Sequence, residues 1–274
     1  MDGAFIGDIE GSVFEFHNTH NPDFDLFNPD LAFTDDSVMS LAVADICHQK
    51  AYDDPAKIRS ILREWGRAYP YAGYGSLFDQ WLYQEDDRAN PSYGNGAAMR
   101  IAPVGYYAHN EDEVKRWSKT ITVVSHNHPE AVKGAEVTAM CIFYALKGKD
   151  KAFLSAYARK HYRLYPSYEA LCASNHGHGL EICQVSVPQA ISAFLLSHDF
   201  ESCLRMIIAA GGDCDTTGAI ACSIAEAYYK TIDPKLRTYC RKILASGGEK
   251  IVRMLAEIDQ DMSLASNRDN QKSL

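Results

Sequence analysis

Two stretches of the 274-residue chain concentrate groups that can do chemistry: Thr34-Asp35-Asp36-Ser37 and Gly211-Gly212-Asp213-Cys214-Asp215-Thr216. Each offers two carboxylates and a threonine hydroxyl, and each stands just before a segment with helical periodicity. A helix N-terminus carries partial positive charge and helps to hold carboxylates ionised. Capping accounts for one acceptor in each stretch, but leaves the second carboxylate unexplained. Two carboxylates held close together repel unless a proton or a cation sits between them. With the hydroxyls they form a hard oxygen donor set, which suits Mg²⁺, Mn²⁺ or Ca²⁺ rather than zinc. The Gly211-Gly212 pair permits a sharp turn and close backbone approach.

A third acidic position lies in Gly7-Asp8-Ile9-Glu10-Gly11-Ser12-Val13-Phe14-Glu15. Read as a helix, this segment puts Gly7, Gly11, Asp8 and Glu15 on one face. The glycines then allow close packing against another helix or the floor of a site. A solvated surface acid is a poor account of Glu15, which sits between Phe14 and Phe16. The aromatic stretch Tyr69 to Tyr83 and the nearby Tyr93 offer rings for stacking, with Tyr74, Phe78 and Tyr93 as candidates. Packing is the expectation for Phe78 and Trp81, which leaves Tyr93 as the better stacking candidate. His128 precedes a proline at a helix start and reads as a cap or an orienting group. Arg100 follows Ala-Ala-Met and reads as satisfying buried carbonyls or a carboxylate, or as reaching a phosphate.

The elements that position these groups read as helices. Ser37 to Lys50 has an apolar stripe at Val38, Leu41, Ala42, Ala44 and Cys47. Glu130 to Leu146 follows Pro129, a start signal. Val187 to Leu196, Phe200 to Ala210, Gly218 to Thr231 and one or two helices within Lys235 to Ile258 complete the set. No alternating β-branched strands and no βαβ rhythm appear. Residues 17–35, 69–96, 122–130 and 162–187 read as loops. The chain is therefore expected to be all-α, with one domain over residues 1–262 and a frayed polar tail over 263–274.

Composition agrees. Apolar residues make up 46 % and charged residues 23 %, ordinary for a globular protein. The net charge of −9 argues against general nucleic-acid binding, which needs basic residues to neutralise phosphates. No run reaches the roughly 20 apolar residues of a membrane span, and the acidic start does not read as a secretory signal. The eight cysteines show no C-x-x-C spacing and read as reduced core residues. A cytoplasmic monomer is the expectation.

The motifs Gly7–Glu15, Thr34–Ser37, Ser92-Tyr93-Gly94-Asn95-Gly96-Ala97-Ala98-Met99-Arg100, Ser125-His126-Asn127-His128-Pro129-Glu130-Ala131 and Gly211–Thr216 occur in this order. Together, and with Ser186–Ser197, they resemble the ADP-ribosylglycohydrolase family from the first residues to about Tyr229. The resemblance implies a compact orthogonal helical bundle with two divalent cations, Mg²⁺ or Mn²⁺, at the bottom of a cleft. It implies hydrolysis of the glycosidic bond between ADP-ribose and an acceptor, a protein side chain (arginine favoured over serine) or a small ADP-ribosyl compound. Metal ligands by resemblance are Thr34, Asp35, Asp36, Asp213, Asp215 and Thr216. Substrate contacts by resemblance are Ser92, Tyr93, Gly94, Asn95, Gly96 and His126. A Gly-Asn-Gly loop suits this role because it presents backbone N–H groups to a diphosphate. Glu15 is the first choice for the acting carboxylate, with Asp35 or Asp36 competing. Cys214 departs from the Thr or Ser that many members carry there. His176 and His178, in the His- and Gly-rich segment 172–184, form a weak soft-metal pair without a third ligand. Asp213-Cys214-Asp215-Thr216 also has the D-x-D-x-T look of haloacid-dehalogenase-like phosphatases, but too little chain follows Thr216 for that fold. A non-catalytic ADP-ribose-binding relative, or the same fold acting on another ADP-ribosyl linkage, is the remaining alternative.

Overall fold

The structure is a computed structural model that describes residues 1–175 and 179–272, with side chains to residue 265. His176 and His178 lie outside the described residues. From the amino end, α1 spans Asp2–Gly11, α2 Asp35–His48 and α3 Pro55–Ala68. After α4 (Ser76–Tyr83) come two short helices, α5 (Gly96–Met99) and α6 (Ala102–Tyr107). Then follow α7 (Glu111–Val123), α8 (Pro129–Leu146), α9 (Lys151–Ala158) and α10 (Tyr168–Ala173). The chain closes with α11 (Cys183–Leu196), α12 (Phe200–Ala210), α13 (Cys214–Tyr229), α14 (Pro234–Ala245) and α15 (Glu249–Lys272). Among the described residues the only β-type pairings are two isolated bridges, Asn90 with His126 and Gly94 with Ile182. The all-α expectation holds.

Local chemistry sets many of the helix starts. Side chains of Asp54, Asn110, Asp150, Ser167 and Asp233 each accept a hydrogen bond from a first-turn amide, satisfying donors the helix leaves orphaned. Asp199 and Ser202 form a reciprocal capping box at α12. His128 caps α8 by accepting from the Glu130 amide at 3.2 Å, so its capping reading is met.

The centre of the bundle is the pairing of α1 with α13, antiparallel and at backbone contact. A Cβ added at Gly7 would lie 2.1 Å from the Gly218 carbonyl oxygen, and one at Gly3 would lie 2.3 Å from that of Cys222. One at Gly11 would lie 2.5 Å from the Cys214 oxygen. Glycine every fourth residue is thus what lets the two helices touch, and this register brings Asp8 beside Asp215. The other faces of α13 pack against α8, α11 and α12, and every residue of α1 is buried.

Several expectations change. The helix read over 7–15 stops at Gly11, where Ser12 turns its hydroxyl back on the Ile9 carbonyl at 2.8 Å. Glu15 therefore sits on the turn beyond the helix and does not share its face. The stretch 69–96 also contains α4, whose Phe78, Trp81 and Leu82 are buried at helical spacing. At the other end α15 runs on to Lys272 through the polar residues after Ser263, with Met262 packed on the core. All eight cysteines are free thiols, seven of them buried.

Candidate active site

The two acidic stretches meet. Thr34 caps α2 by accepting from the Asp36 amide at 3.2 Å, and Asp213 stands at the N-terminus of α13. Between them, from α1, comes Asp8. It accepts from the Thr34 hydroxyl at 2.7 Å, the Thr34 amide at 3.1 Å and the Ser37 amide at 3.0 Å, and also from the Ser37 hydroxyl. Thr216 donates its hydroxyl to Asp36 at 3.1 Å. Asp8, Asp36 and Asp215 each offer an oxygen within 4.8 Å of the others, and so do Glu15, Asp213 and Asp215. Asp215 belongs to both groups.

Glu15, Asp36, Asp213, Asp215 and Thr216 floor a cavity of about 490 Å³, and Asp8, fully buried, is not among its lining residues. Glu15, Asp35, Asp36, Asp213, Asp215 and Thr216 line it on one side, and Phe78, Arg100, His126, Glu181 and the 92–96 loop on the other. Thr34 is not on its wall: its hydroxyl is spent on Asp8. Asp35 belongs to neither close carboxylate group; it lines the wall half-buried, its amide bonded to the Ala72 carbonyl at 2.8 Å.

Electrostatics follow from burial and crowding. Burial, and then the Asp215 charge, push the Asp8 carboxyl up to about 7. The same two causes, joined by Asp8, push Glu15 up to about 7. Asp35, Asp36 and Asp213 are held well above the carboxylate range, again by burial first and Asp215 next. One oxygen of Asp36, Oδ1, is buried with no hydrogen-bond partner. The one cation on the cavity wall, Arg100, lies against the far side, with its guanidinium 5.3 Å from the Phe78 ring. It donates to the Ser125 hydroxyl at 2.6 Å, while its Nε meets no acceptor. Burial, followed by the Arg100 charge, holds His126 well below the usual imidazole range, hence neutral. An orphaned buried oxygen among five carboxylates is a donor set that fits hard divalent cations.

The 92–96 loop differs in detail from expectation. The Gly94 amide is taken by the Ser92 hydroxyl at 3.1 Å, and the Asn95 amide by the Glu181 carbonyl at 3.1 Å. The Cys183 amide in turn donates to the Tyr93 carbonyl at 3.0 Å. Two of the N–H groups expected to face phosphate are therefore spent, Gly94's within the loop and Asn95's on stitching the loop to the segment that leads into α11. Asn95 instead works through its side chain, which donates to Asp213 Oδ2 at 2.6 Å and to the Ser186 hydroxyl at 2.8 Å. Tyr93 stands half exposed at the rim, edge-on to His128 at 5.1 Å. His126 is buried, paired through Nδ1 with Ser125 at 2.9 Å, and its Nε2 faces Gly96. Phe78, expected only to pack, also forms cavity wall.

Asp8 is the main residue missing from the expected site, although the acid itself was visible in Gly7–Glu15. Its signal is Gly7 before it and Gly11 three residues on: a carboxylate on a helix this closely packed cannot reach water and must have partners inside.

The family model described as ADP-ribosylglycohydrolase matches residues 1–270. The chain belongs to the ADP-ribosylglycohydrolase family. This family consists of hydrolytic enzymes, and its relatives agree. The ADP-ribosyl-[dinitrogen reductase] glycohydrolase of Rhodospirillum rubrum is 26 % identical over 219 residues, covering 73 % of this chain and 70 % of that protein. ADP-ribosylhydrolase ARH3 of Homo sapiens is 26 % identical over 306 residues, covering 84 % of each. Among solved structures, a chain of an ADP-ribosylglycohydrolase-related protein complex superposes with a TM-score of 0.67. It is 24 % identical, over 92 % of this chain and 96 % of that one. The ADP-ribosylglycohydrolase fold is thus established by sequence and by backbone. No described helix is long and apolar enough to cross a membrane.

Proposed function

We propose that this ADP-ribosylglycohydrolase cleaves the glycosidic bond between ADP-ribose and a protein side chain, arginine in preference to serine, and so reverses ADP-ribosylation. The observation that carries this reading is the floor of the cavity: two carboxylate triads sharing Asp215, with no cation paired to either triad among the described residues. Two divalent cations, Mg²⁺ or Mn²⁺, would be held by Asp8, Asp36 and Asp215 on one side and by Glu15, Asp213 and Asp215 on the other. When bound, they supply positive charge and Lewis acidity that orient the ribose hydroxyls next to the scissile carbon.

The chain's own residues do the rest. Asn95 fixes the Asp213 carboxylate, and Thr216 fixes one oxygen of Asp36. Glycoside cleavage passes through an oxocarbenium-like state and needs one group to assist departure and one to activate water. Glu15 is the carboxylate for the proton transfers: its side chain accepts no hydrogen bond among the described residues, and it lies half-buried on the cavity wall. Asp35 is the competing carboxylate, on the same wall and outside both triads. Tyr93 at the rim offers a face for the adenine ring, and His126, neutral and buried, closes the floor beside Gly96.

The test is calorimetric titration of the purified protein with ADP-ribose, in Mg²⁺ and then in EDTA, followed by turnover of ADP-ribosyl-arginine and ADP-ribosyl-serine peptides. Metal-dependent binding with faster release from arginine is expected. Turnover that survives exhaustive chelation would contradict the metal assignment. Tight ADP-ribose binding without release from either peptide would move the activity to a small ADP-ribosyl compound.

A further inference from the structure

In a chain of net charge −9, one surface concavity is basic. Arg59, Arg63 and Arg67 stand at i, i+4 and i+8 on α3 and line a groove of about 540 Å³ with Ser60, Glu64 and Asp87. At about 1.5 Å of rise per residue the row is about 12 Å long. Part of it serves the fold. Arg63 donates through Nε to the Trp81 carbonyl at 3.2 Å, and Arg67 through Nε to the Leu82 carbonyl at 2.7 Å. These are last-turn carbonyls of α4, which a helix leaves without internal partners.

The rest of the row is under-used. Arg59 is 14 % exposed and its buried Nε has no acceptor. One carboxylate reaches two of the three guanidiniums: Asp87, 76 % exposed on the 84–88 segment, at 3.3 Å from Arg59 and 4.0 Å from Arg63. Glu64 is drawn away to Lys250 at 2.7 Å, and the Asp86 carboxylate to Arg88 at 2.6 Å. The Asp86 carbonyl, however, accepts from Arg63 Nη2 at 2.8 Å. The chain's own Asp86-Asp87 thus meets the row and shows what it takes: an acidic segment, met by the Asp87 carboxylate and the Asp86 carbonyl at once. Guanidinium forks suit such partners, and an exposed pair such as Asp87 with Arg59 is readily exchanged.

The groove is joined to the active site by α4. Its first residues, Ser76, Leu77 and Phe78, line the catalytic cavity, and its last carbonyls are held by the arginines. Leu77, Gln80 and Tyr83 form an exposed row between the two, with Leu77 and Tyr83 about half exposed. We infer that this groove binds an acidic stretch of the acceptor protein, so that the enzyme favours ADP-ribosylated side chains with carboxylates some residues away. This deepens the proposed function and rests on it for the identity of the site. An extended peptide spans about 3.3 Å per residue, so carboxylates about four to eight residues from the modified side chain would reach the row.

The test uses two peptides that carry one ADP-ribosyl-arginine, with Glu or with Gln at those distances. The Glu peptide should show about tenfold higher kcat/KM at low salt, an advantage that 0.5 M NaCl removes. Arg59→Glu should erase the advantage while leaving turnover of free ADP-ribosyl-arginine unchanged, because Arg59 holds no α4 carbonyl. Asp87→Ala should enlarge it by freeing the row. Equal turnover of the two peptides by the wild type would overturn the inference. If neither peptide is turned over, the proposed function fails, and the groove is judged by binding alone. For that arm the probe is a fluorescent, unmodified Glu peptide. Salt-sensitive anisotropy lost in Arg59→Glu supports the groove. No binding, or tighter binding of a single-stranded oligonucleotide of equal length, overturns it.

Discussion

The two ends of one helix pair treat buried acids in opposite ways. Where α1 begins, the Glu226 carboxylate of α13 is enclosed by donors: the Met1 ammonium at 3.1 Å, the amides of Asp2 at 3.2 Å and Gly3 at 2.8 Å, and the Tyr106 hydroxyl at 3.0 Å. Burial opposes its charge, but the ammonium, the Gly3 amide and Tyr106 outweigh that and hold its carboxyl below the ordinary value. Where α1 ends, Asp8, Asp36, Asp213, Asp215 and Glu15 converge with hydroxyl and amide donors but no cation among them. Asp36 Oδ1 is left bare there. The first end is compensated inside the chain and holds the helices together. The second has no such ion-pair partner among the described residues, and under the proposed function it is the end that takes cations and turns over a ligand.

The largest effect tests the open end. Asp213→Ala removes a carboxylate from one triad and the acceptor of Asn95. Hydrolysis of ADP-ribosyl-arginine should fall by more than about 10³-fold, about 4 kcal/mol at the transition state, while helical circular dichroism stays intact. Retained turnover would mean that the open end is not the site. The closed end should respond in stability instead. Glu226→Ala strands the donors that now meet on one carboxylate, and breaking a buried pair costs about 3 kcal/mol or more. A fall of about 6–12 °C in the melting temperature is expected, with kcat per folded molecule unchanged. A smaller contrast lies at the rim: Tyr93→Ala should weaken ADP-ribose binding by about 1–2 kcal/mol if its ring stacks on adenine. Unchanged affinity would return Tyr93 to packing against His128.

Much of this contrast was legible in residue order. Phe200–Ala210 is a helix with the expected bounds, and Gly7 and Gly11 announce a close-packed face. What residue order withholds is the partner. Nothing local says that Gly7 meets Gly218, so Asp8 reads as one more acid until α13 brings Asp215 beside it. The same holds for the 92–96 loop, where Gly-Asn-Gly advertises free amides. Only the distant Glu181 carbonyl shows that the Asn95 amide is taken, and that its side chain does the work. Helix α3 was legible and was left out of the expected elements. Its Ile58, Ile61, Leu62 and Trp65, all buried, carry the i, i+3, i+4, i+7 spacing of an amphipathic helix.

The comparison is sharpest in pH, where the two ends differ in sign. A carboxyl whose folded pKa is depressed stabilises above its unfolded value and loses that contribution as pH falls through the folded value. Glu226 is of this kind, so its contribution is constant near neutrality and is lost only in acid. A carboxyl whose folded pKa is raised behaves conversely. Asp8 and Glu15, both pushed up to about 7 by burial first, keep protons in the folded state that the unfolded chain has released. Without a cation, stability therefore falls as pH rises through about 7. Glu10, raised to about 7 mainly by burial, adds to the same slope. Between pH 6.5 and 8 Glu226 is constant and the neutral His126 opposes the slope only weakly, because half of the unfolded imidazoles have already lost their protons at about pH 6.5. In EDTA the protein should melt a few degrees higher at pH 6.5 than at pH 8, equivalent to about 1 kcal/mol. Saturating Mg²⁺ should cancel or reverse the difference, because the cation binds the ionised carboxylates and its stabilisation grows as they lose protons. Asp8→Asn should make the EDTA profile shallower, with the slope from Glu15 and Glu10 remaining. A wild-type EDTA profile that is already flat would mean that the open end is balanced from within, like the closed one.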